Sequence, residues 1–247
     1  MRFGDEEYRL RCELACAYRL FDQLGWHELI YNHITVRLPG PEAHFLINPF
    51  GLMYREITAG NLVRIDIDGN VVGHADHPAN PAGFIVHSAI HAARDDAHCV
   101  MHTHTTAGMA VACQEEGLLP LSFPAMFYTG RVAYHDFEGI TLDREERGRL
   151  AANLGDRNVM ILRNHGLLAC GPSVGHAFAE LYHLQRACEV QIAAQSSGAR
   201  LTLPEPAIAQ RAADQFTATA RRGEQNDMLF AAMMRWMDDK DPGYRHA

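Results

Sequence analysis

The chain has 247 residues and carries a net charge of −8 from 22 basic and 30 acidic side chains. Its apolar fraction of 47% and charged fraction of 21% are those of an ordinary soluble globule, and no apolar run reaches the roughly 20 residues that a membrane span needs. Because the sequence has no basic run, no signal-peptide core and six scattered cysteines without a C-x-x-C motif, we expect a cytoplasmic protein that binds neither nucleic acid nor membrane.

A helix and several short strands are predicted in the first third of the chain. Apolar residues at helical spacing predict a helix over residues 5–25, which Gly25 ends. Short β-type runs follow at residues 34–38, 45–47 and 62–66. The Asp-Gly-Asn turn at residues 68–70 predicts that the last run pairs with Val71 and Val72 as a hairpin.

The remainder of the chain is mainly helical, with strands between the helices. The predicted elements are a helix at 81–94, a strand at 99–102, helices at 105–115 and 142–154, a strand at 158–162, an extended segment at 167–169, and helices at 174–196, 206–220 and 224–238. An aromatic stretch covers residues 123–137. Strands with helices before, between and after them predict a three-layer α/β/α domain. A Ser-Gly-Pro-rich linker divides this domain, residues 1–198, from a C-terminal helical extension, residues 199–247.

Three histidines are candidate metal ligands. His102 and His104 follow an apolar strand, and residues two apart on an extended backbone point to the same side. His165 lies in an Asn-His-Gly turn after a second strand, so a sheet can bring the three imidazoles together. An isolated His-x-His can equally be a polar strand end, and the helical pair His87 and His91 is a weaker alternative ligand pair.

Several motifs together resemble the class II aldolase/adducin family. They are Tyr-Asn-His-Ile-Thr at 31–35, Phe-Leu-Ile-Asn-Pro-Phe-Gly at 45–51, Ala-Gly-Phe with His-Ser-Ala-Ile-His at 82–91, His-Thr-His at 102–104, Val-Ala-Tyr-His-Asp at 132–136 and Asn-His-Gly-Leu-Leu at 164–168. The resemblance spans roughly residues 8–195 and is strongest to the adducin head domain and its bacterial relatives. It implies an α/β/α sandwich with a mostly antiparallel central sheet, in a homotetramer with active sites at subunit interfaces.

The resemblance also implies a metal-dependent reaction. In the family's aldolases and epimerases, three histidines and often a glutamate hold the ion, and the histidines match His102, His104 and His165. Zinc is the first choice, with manganese or iron as alternatives. In those relatives the ion supplies Lewis-acid chemistry: it would hold the substrate's hydroxyl and carbonyl oxygens and stabilise the negative charge that develops when a carbon–carbon bond breaks. The family's proton-moving glutamate falls at Gly83, so the usual base is missing.

The family's phosphate pocket is also altered. Its Gly-Asn-x-Ser, Thr-Gly and Ser-Ser segments read Asn-His-Ile-Thr at 32–35, Phe-Gly at 50–51 and Pro-Ala at 81–82. A phosphate needs several converging donors, whereas proline has no N–H and phenylalanine and alanine have no side-chain donor. We therefore expect an unphosphorylated small-molecule ligand rather than a sugar phosphate, in a more apolar pocket where His33 is a possible cation or donor.

These observations favour a lyase that acts on a hydroxy-carbonyl compound or a carboxylic acid, by retro-aldol cleavage or decarboxylation. The candidate bases are His33, His87, Tyr128 and Tyr134, although either tyrosine can equally be a packed aromatic residue. The candidate substrate-binding residues are Asn32, His33, Asn48, Gly51 and Gly83. Two alternatives stay open: a non-catalytic adducin-like binding module, and an iron-dependent oxygenase that uses the same three histidines.

Overall fold

The computed structural model describes residues 3–139, 145–218 and 222–247. The helices are α1 (Asp5–Leu24), α2 (Pro81–Ala93), α3 (Thr106–Ala112), α4 (Phe123–Met126), α5 (Glu146–Leu154), α6 (Val174–Ser196), α7 (Pro206–Ala218) and α8 (Arg222–Lys240). The strands are β1 (Ile34–Arg37), β2 (Phe45–Ile47), β3 (Val63–Ile65), β4 (Cys99–Thr103), β5 (Val132–His135), β6 (Val159–Leu162) and β7 (Gly166–Gly171). Short 3₁₀ turns cover Tyr54–Glu56 and Pro242–Arg245.

Local sequence signals account for several helix ends. The first turn of α1 carries three acidic residues, which suit the positive end of the helix dipole, and Gly25 ends the helix in a left-handed conformation with φ of 70°. The hydroxyls of Thr105 and Ser173 cap α3 and α6 by accepting from backbone N–H groups. The predicted hairpin is confirmed as an antiparallel bridge between Ile65 and Val71.

Some predicted boundaries differ from the structure. The predicted helix at 105–115 is shorter, because α3 ends at Ala112. The aromatic stretch at 123–137 contains the short helix α4 and the strand β5. The predicted start of a helix at residue 142 and the predicted end of another at residue 220 lie outside the described residues.

The seven strands form one sheet in the order β3-β2-β1-β4-β7-β6-β5. Strands β5 and β6 pair in parallel, whereas the other pairs of described strands are antiparallel. The predicted α/β class is confirmed. The sheet is mixed, so the expected antiparallel character holds for only part of it.

The two faces of the sheet pack against different helices. On β4, Cys99 and Met101 belong to a large core that α1 and α6 complete, whereas Val100 belongs to a smaller core with α2 and α5. Since side chains alternate along a strand, His102 lies on the same face as Val100. His102 therefore faces the layer that contains α2.

The C-terminal helix α8 packs against α1 and α6. Its Phe230 and Met237 are buried in the large core, together with Tyr244 of the last 3₁₀ turn. The division of the chain at residue 198 stays a prediction. Among the described residues, no helix combines the length and apolar character required to cross a bilayer.

Candidate metal centre

Strand pairing brings the three candidate ligands to one end of the sheet. His102 lies opposite Leu168 in the β4–β7 ladder, and Leu162 lies opposite Gly166 in the β6–β7 ladder. The turn between β6 and β7, which carries His165, therefore lies beside the end of β4. The ring centroids of His102, His104 and His165 are 4.5–4.8 Å apart.

The Asn-His-Gly turn has two steric requirements. Asn164 has a φ of 56°, in the left-handed region that asparagine tolerates better than most residues. Gly166 lies so close to β4 that an added Cβ would be 2.2 Å from the carbonyl oxygen of Thr103. Residues that fit these two positions hold the His165 ring against the other two histidines.

Hydrogen bonds fix the ring nitrogens of His102 and His104. The Nδ1 of His102 donates to the carbonyl oxygen of Leu167 at 2.8 Å, and the Nδ1 of His104 donates to a Glu28 carboxylate oxygen at 2.6 Å. In each neutral ring, the Nε2 therefore carries a lone pair. These two Nε2 atoms lie 2.7 Å apart.

Two lone pairs at this distance repel, so either a proton on one ring or a cation must lie between them. Burial lowers the pKa of His102 well below its usual range, helped by the neighbouring His165 and His104. Burial also lowers the pKa of His165, to about 4. One nitrogen of each of the three rings lies within 4.8 Å of the others, so the cluster offers a divalent ion three ligands, whereas a shared proton would use only two of the nitrogens. The residues present fit a zinc-type ion.

Glu28 was not identified from the sequence. It lies in the loop after α1, next to Leu29, which has an unusual φ of 50°, and no spacing rule connects it to His104. A carboxylate that accepts from the second ring nitrogen is a common partner of a metal-binding histidine, because it fixes the tautomer and the ring orientation. Only the tertiary contact reveals this role.

We expect Glu28→Ala to weaken metal binding by about 10- to 100-fold, the usual cost of losing a residue that orients a ligand. Competition with a chromophoric chelator measures the affinity. Glu28→Gln retains an acceptor oxygen and is expected to fall between wild type and alanine. The exposed Glu42, in the loop between β1 and β2, provides a matched control. Equal affinities for the Glu28→Ala and Glu42→Ala proteins would contradict the orienting role.

His33 and His87 lie next to the cluster of His102, His104 and His165, with His33 between His87 and His102. The ring centroids of His33 and His102 are 5.6 Å apart, and the Nδ1 of His33 is 3.0 Å from the Nε2 of His87. Burial lowers the pKa of His33 to about 3, with a further contribution from His104 and His165. Of the two roles expected for His33, cation or donor, this low pKa argues against the cation, because a buried imidazole next to other histidines stays neutral.

The two candidate tyrosines already have polar partners. Tyr128 is buried, and its hydroxyl donates to the carbonyl oxygen of Glu180 at 2.8 Å. The hydroxyl of Tyr134 accepts from the backbone N–H of Leu118 at 3.1 Å. Tyr134 lies opposite Ile161, whose side chain is in the large core, so it lies on the face of the sheet away from His102. A catalytic role for either residue stays a prediction.

The candidate substrate-binding residues have varied surroundings. Asn32 is buried, and both polar atoms of its carboxamide lack a partner among the described residues. The carboxamide oxygen of Asn48 is 2.9 Å from the hydroxyl of Tyr18. Gly51 is exposed with a φ of 101°, and Gly83 lies in the first turn of α2. Of these candidates, Asn32 is therefore the one whose side-chain donor and acceptor are both available for hydrogen bonds to a ligand.

Known proteins resemble this chain over nearly its whole length. The model of the Class II Aldolase and Adducin N-terminal domain matches residues 12–192. The crystal structure of an aldolase II superfamily protein from Pseudomonas syringae has 47% sequence identity and a TM-score of 0.95, covering 99% of this chain and 98% of that chain. An L-fuculose 1-phosphate aldolase from Glaciozyma antarctica has 28% identity and a TM-score of 0.84, covering 98% of this chain and 93% of that chain.

Alpha-adducin, a much longer protein, is almost as similar in sequence to this chain as the Pseudomonas syringae protein is. Alpha-adducin of Rattus norvegicus is 43% identical over 252 aligned residues, which cover 97% of this chain and 34% of adducin. The similarity therefore concerns about a third of adducin's length.

Proposed function

Because the chain belongs to the class II aldolase and adducin family, we propose that it is a divalent-metal-dependent lyase that acts on a small unphosphorylated hydroxy-carbonyl compound or carboxylic acid. The reaction is a retro-aldol cleavage or a decarboxylation. The observation that carries the proposal is the convergence of three imidazoles: the Nε2 atoms of His102 and His104 lie 2.7 Å apart, and one nitrogen of each of these rings and of His165 lies within 4.8 Å of the others. Zinc suits three imidazole ligands best, and manganese or iron is an alternative.

The ion, when bound, supplies Lewis-acid polarisation of a substrate oxygen. The protein's own residues bind and orient the substrate around it. The carboxamide of Asn32 is a buried group with no partner among the described residues, and each such polar atom costs about 1–3 kcal/mol unless a ligand or water satisfies it. The neutral His33 ring lies beside the cluster and is the nearest candidate for accepting a proton.

The exclusion of a sugar phosphate rests on missing donors. Pro81 contributes no N–H at the start of α2. The hydroxyl of Thr35 lies 2.8 Å from both His87 and His91, so it is engaged within the protein. The neutral His33 ring cannot offset phosphate charge. A doubly charged phosphate would meet too few charged or polar donors here.

Homotetramer formation, with sites at subunit interfaces, is part of the same proposal. Exposed apolar side chains near the cluster support it. Leu29 and Tyr31 lie in the same loop as Glu28, between α1 and β1, and the ring of Phe137 lies 6.3 Å from that of His165. Each of these three side chains is more than half exposed in the single chain, which is a common property of interface residues.

Two other functions have specific support. A non-catalytic binding module is favoured by the similarity to alpha-adducin and by glycine at position 83, where the family's aldolases place a proton-moving glutamate. An iron-dependent oxygenase is favoured by the three nitrogen ligands, which suit iron as well as zinc. The identity of the bound metal separates these possibilities.

The first experiment is the metal content of protein purified without a histidine tag or added metal, measured by plasma mass spectrometry. About one zinc or manganese per chain, followed by carbon–carbon cleavage or carbon dioxide release from unphosphorylated hydroxy-carbonyl compounds and carboxylic acids, is the expected result. Iron accompanied by oxygen uptake would replace the lyase with the oxygenase. No metal, and no change in melting temperature on adding any, would favour the binding module.

A further inference from the structure

A buried chain of hydrogen bonds leads from His33 away from the metal centre. The Nδ1 of His33 is 3.0 Å from the Nε2 of His87, whose Nδ1 is 2.8 Å from the hydroxyl of Thr35. That hydroxyl is 2.8 Å from the Nε2 of His91, and the Nδ1 of His91 is 2.8 Å from the carbonyl oxygen of Ala97. The four side chains are each at most 5% exposed.

The carbonyl oxygen of Ala97 fixes the direction of every bond in the chain. A carbonyl only accepts, so the Nδ1 of His91 carries a proton and its Nε2 accepts from the hydroxyl of Thr35. Because the hydroxyl of Thr35 donates its single proton to His91, its oxygen can only accept from the Nδ1 of His87. The Nε2 of His87 then accepts from the Nδ1 of His33, and the Nε2 of His33 is left with a lone pair.

The opposite direction requires one additional proton. That proton would make one histidine of the chain cationic and reverse each bond in turn. Burial opposes this state, since it lowers the pKa of His91 to about 3 and that of His87 well below its usual range. Arg37 donates to the backbone carbonyl of His91 and contributes to lowering its pKa. The neutral direction therefore describes the folded protein.

We propose that Thr35 and His91 are positioning residues which, through His87, hold His33 in the tautomer that presents an acceptor Nε2 to a hydroxyl group of the ligand. The ligand atom next to His33 must then be a donor. A phosphate or carboxylate oxygen would place a lone pair against a lone pair, whereas an alcohol hydroxyl completes the hydrogen bond. This inference rests on the proposed function for the position of the ligand, and it makes His33 a determinant of specificity.

The tautomer can be measured without turnover. In the full chain, loaded with diamagnetic zinc and labelled with ¹⁵N-histidine, long-range proton–nitrogen spectra distinguish a protonated ring nitrogen from one with a lone pair. A His33→Asn variant identifies the His33 signals by their loss. We expect wild-type His33 to have a protonated Nδ1 and an unprotonated Nε2. A protonated Nε2 on wild-type His33 would overturn the proposal.

Substitutions at Thr35 test the positioning role. Thr35→Val keeps the branched shape but removes the hydroxyl, so the His87 tautomer is no longer fixed and His33 is expected to populate both tautomers. Thr35→Ser retains the hydroxyl and is expected to restore the single tautomer. Melting temperatures confirm that the compared proteins are folded. A His33 tautomer ratio unchanged in a folded Thr35→Val protein would exclude the role of the chain.

Ligand binding tests the requirement for a donor. Calorimetry compares dihydroxyacetone with 1,3-dimethoxyacetone, which keeps the oxygens but cannot donate. Wild type is expected to prefer dihydroxyacetone more strongly than Thr35→Val does, by up to about fivefold. One hydrogen bond is worth about 1 kcal/mol, which converts to that ratio, and steric effects of the methyl groups are common to both proteins. Equal preferences would overturn the donor requirement. Failure of both probes to bind would contradict the proposed function, while the tautomer measurement still decides the role of Thr35.

Discussion

Alanine at His102, His104 or His165 is expected to remove most of the bound divalent metal, with an affinity loss greater than about 100-fold. The basis is that loss of a residue that only orients a ligand already costs about 10- to 100-fold. Each substitution removes one of the three nitrogen donors that lie within 4.8 Å of one another. Chelator competition gives the affinity, and plasma mass spectrometry gives the occupancy after dialysis.

The controls for this experiment are two other histidines. His91 is buried on α2 and bonds to Thr35 and Ala97, so His91→Ala tests loss of a buried histidine away from the cluster. His98 is exposed, and His98→Ala tests the loss of a surface imidazole. Both variants should retain most of the metal. Comparable losses in His91→Ala and in the three cluster variants would rule out the ligand assignment.

Gly166→Ala is expected to destabilise the protein and to disrupt the metal centre at the same time. The new Cβ would be 2.2 Å from the backbone oxygen of Thr103 and 3.2 Å from the ring of His104, so β4 and β7 must separate between the ligands. Overpacking of this kind costs about 1–3 kcal/mol, and a backbone contact cannot be relieved by a side-chain rotation. In a chain of this size, the melting temperature should fall by about 5–10 °C, with a tenfold or greater loss of metal affinity.

The matched control is Gly148→Ala in α5. Gly148 is exposed, and an added Cβ has nothing within 4 Å. Alanine in a helix is favoured over glycine by about 0.5–1 kcal/mol, so this variant should melt at an equal or higher temperature with unchanged metal affinity. A Gly166→Ala protein with wild-type melting and metal binding would show that β4 and β7 can separate without cost.

Much of the fold could be predicted from the sequence, because local patterns determine it. The long helices α1 and α6 have caps and apolar periodicity, and the strands that carry His102 and His165 are short apolar runs. The grouping of the three histidines was predicted for the same reason, since each follows a recognisable strand. In contrast, the stretch at 123–137 mixes aromatic residues of a short helix and an edge strand, which no single period describes.

The partners of the histidines could not be predicted, because they depend on contacts between distant segments. Glu28 contacts a residue 76 positions away, and Thr35 contacts His87 and His91 across 52 and 56 positions. The sequence also left the protonation state of His33 open between cation and donor, because its burial depends on contacts with distant segments such as His87 of α2. Sequence patterns identify the residue types of such a site, whereas tautomers and charges require the three-dimensional structure.

The alternation of side chains along β4 has a consequence for how such proteins diversify. Cys99 and Met101 support the large core, while His102, on the same strand, serves the other face of the sheet. Substitutions on the histidine face can therefore alter chemistry with little effect on the packing of α1 and α6. The Glaciozyma antarctica aldolase retains this architecture at 28% identity, with a TM-score of 0.84. One face of such a scaffold can in this way acquire new ligand preferences while the helices on the other face keep their packing.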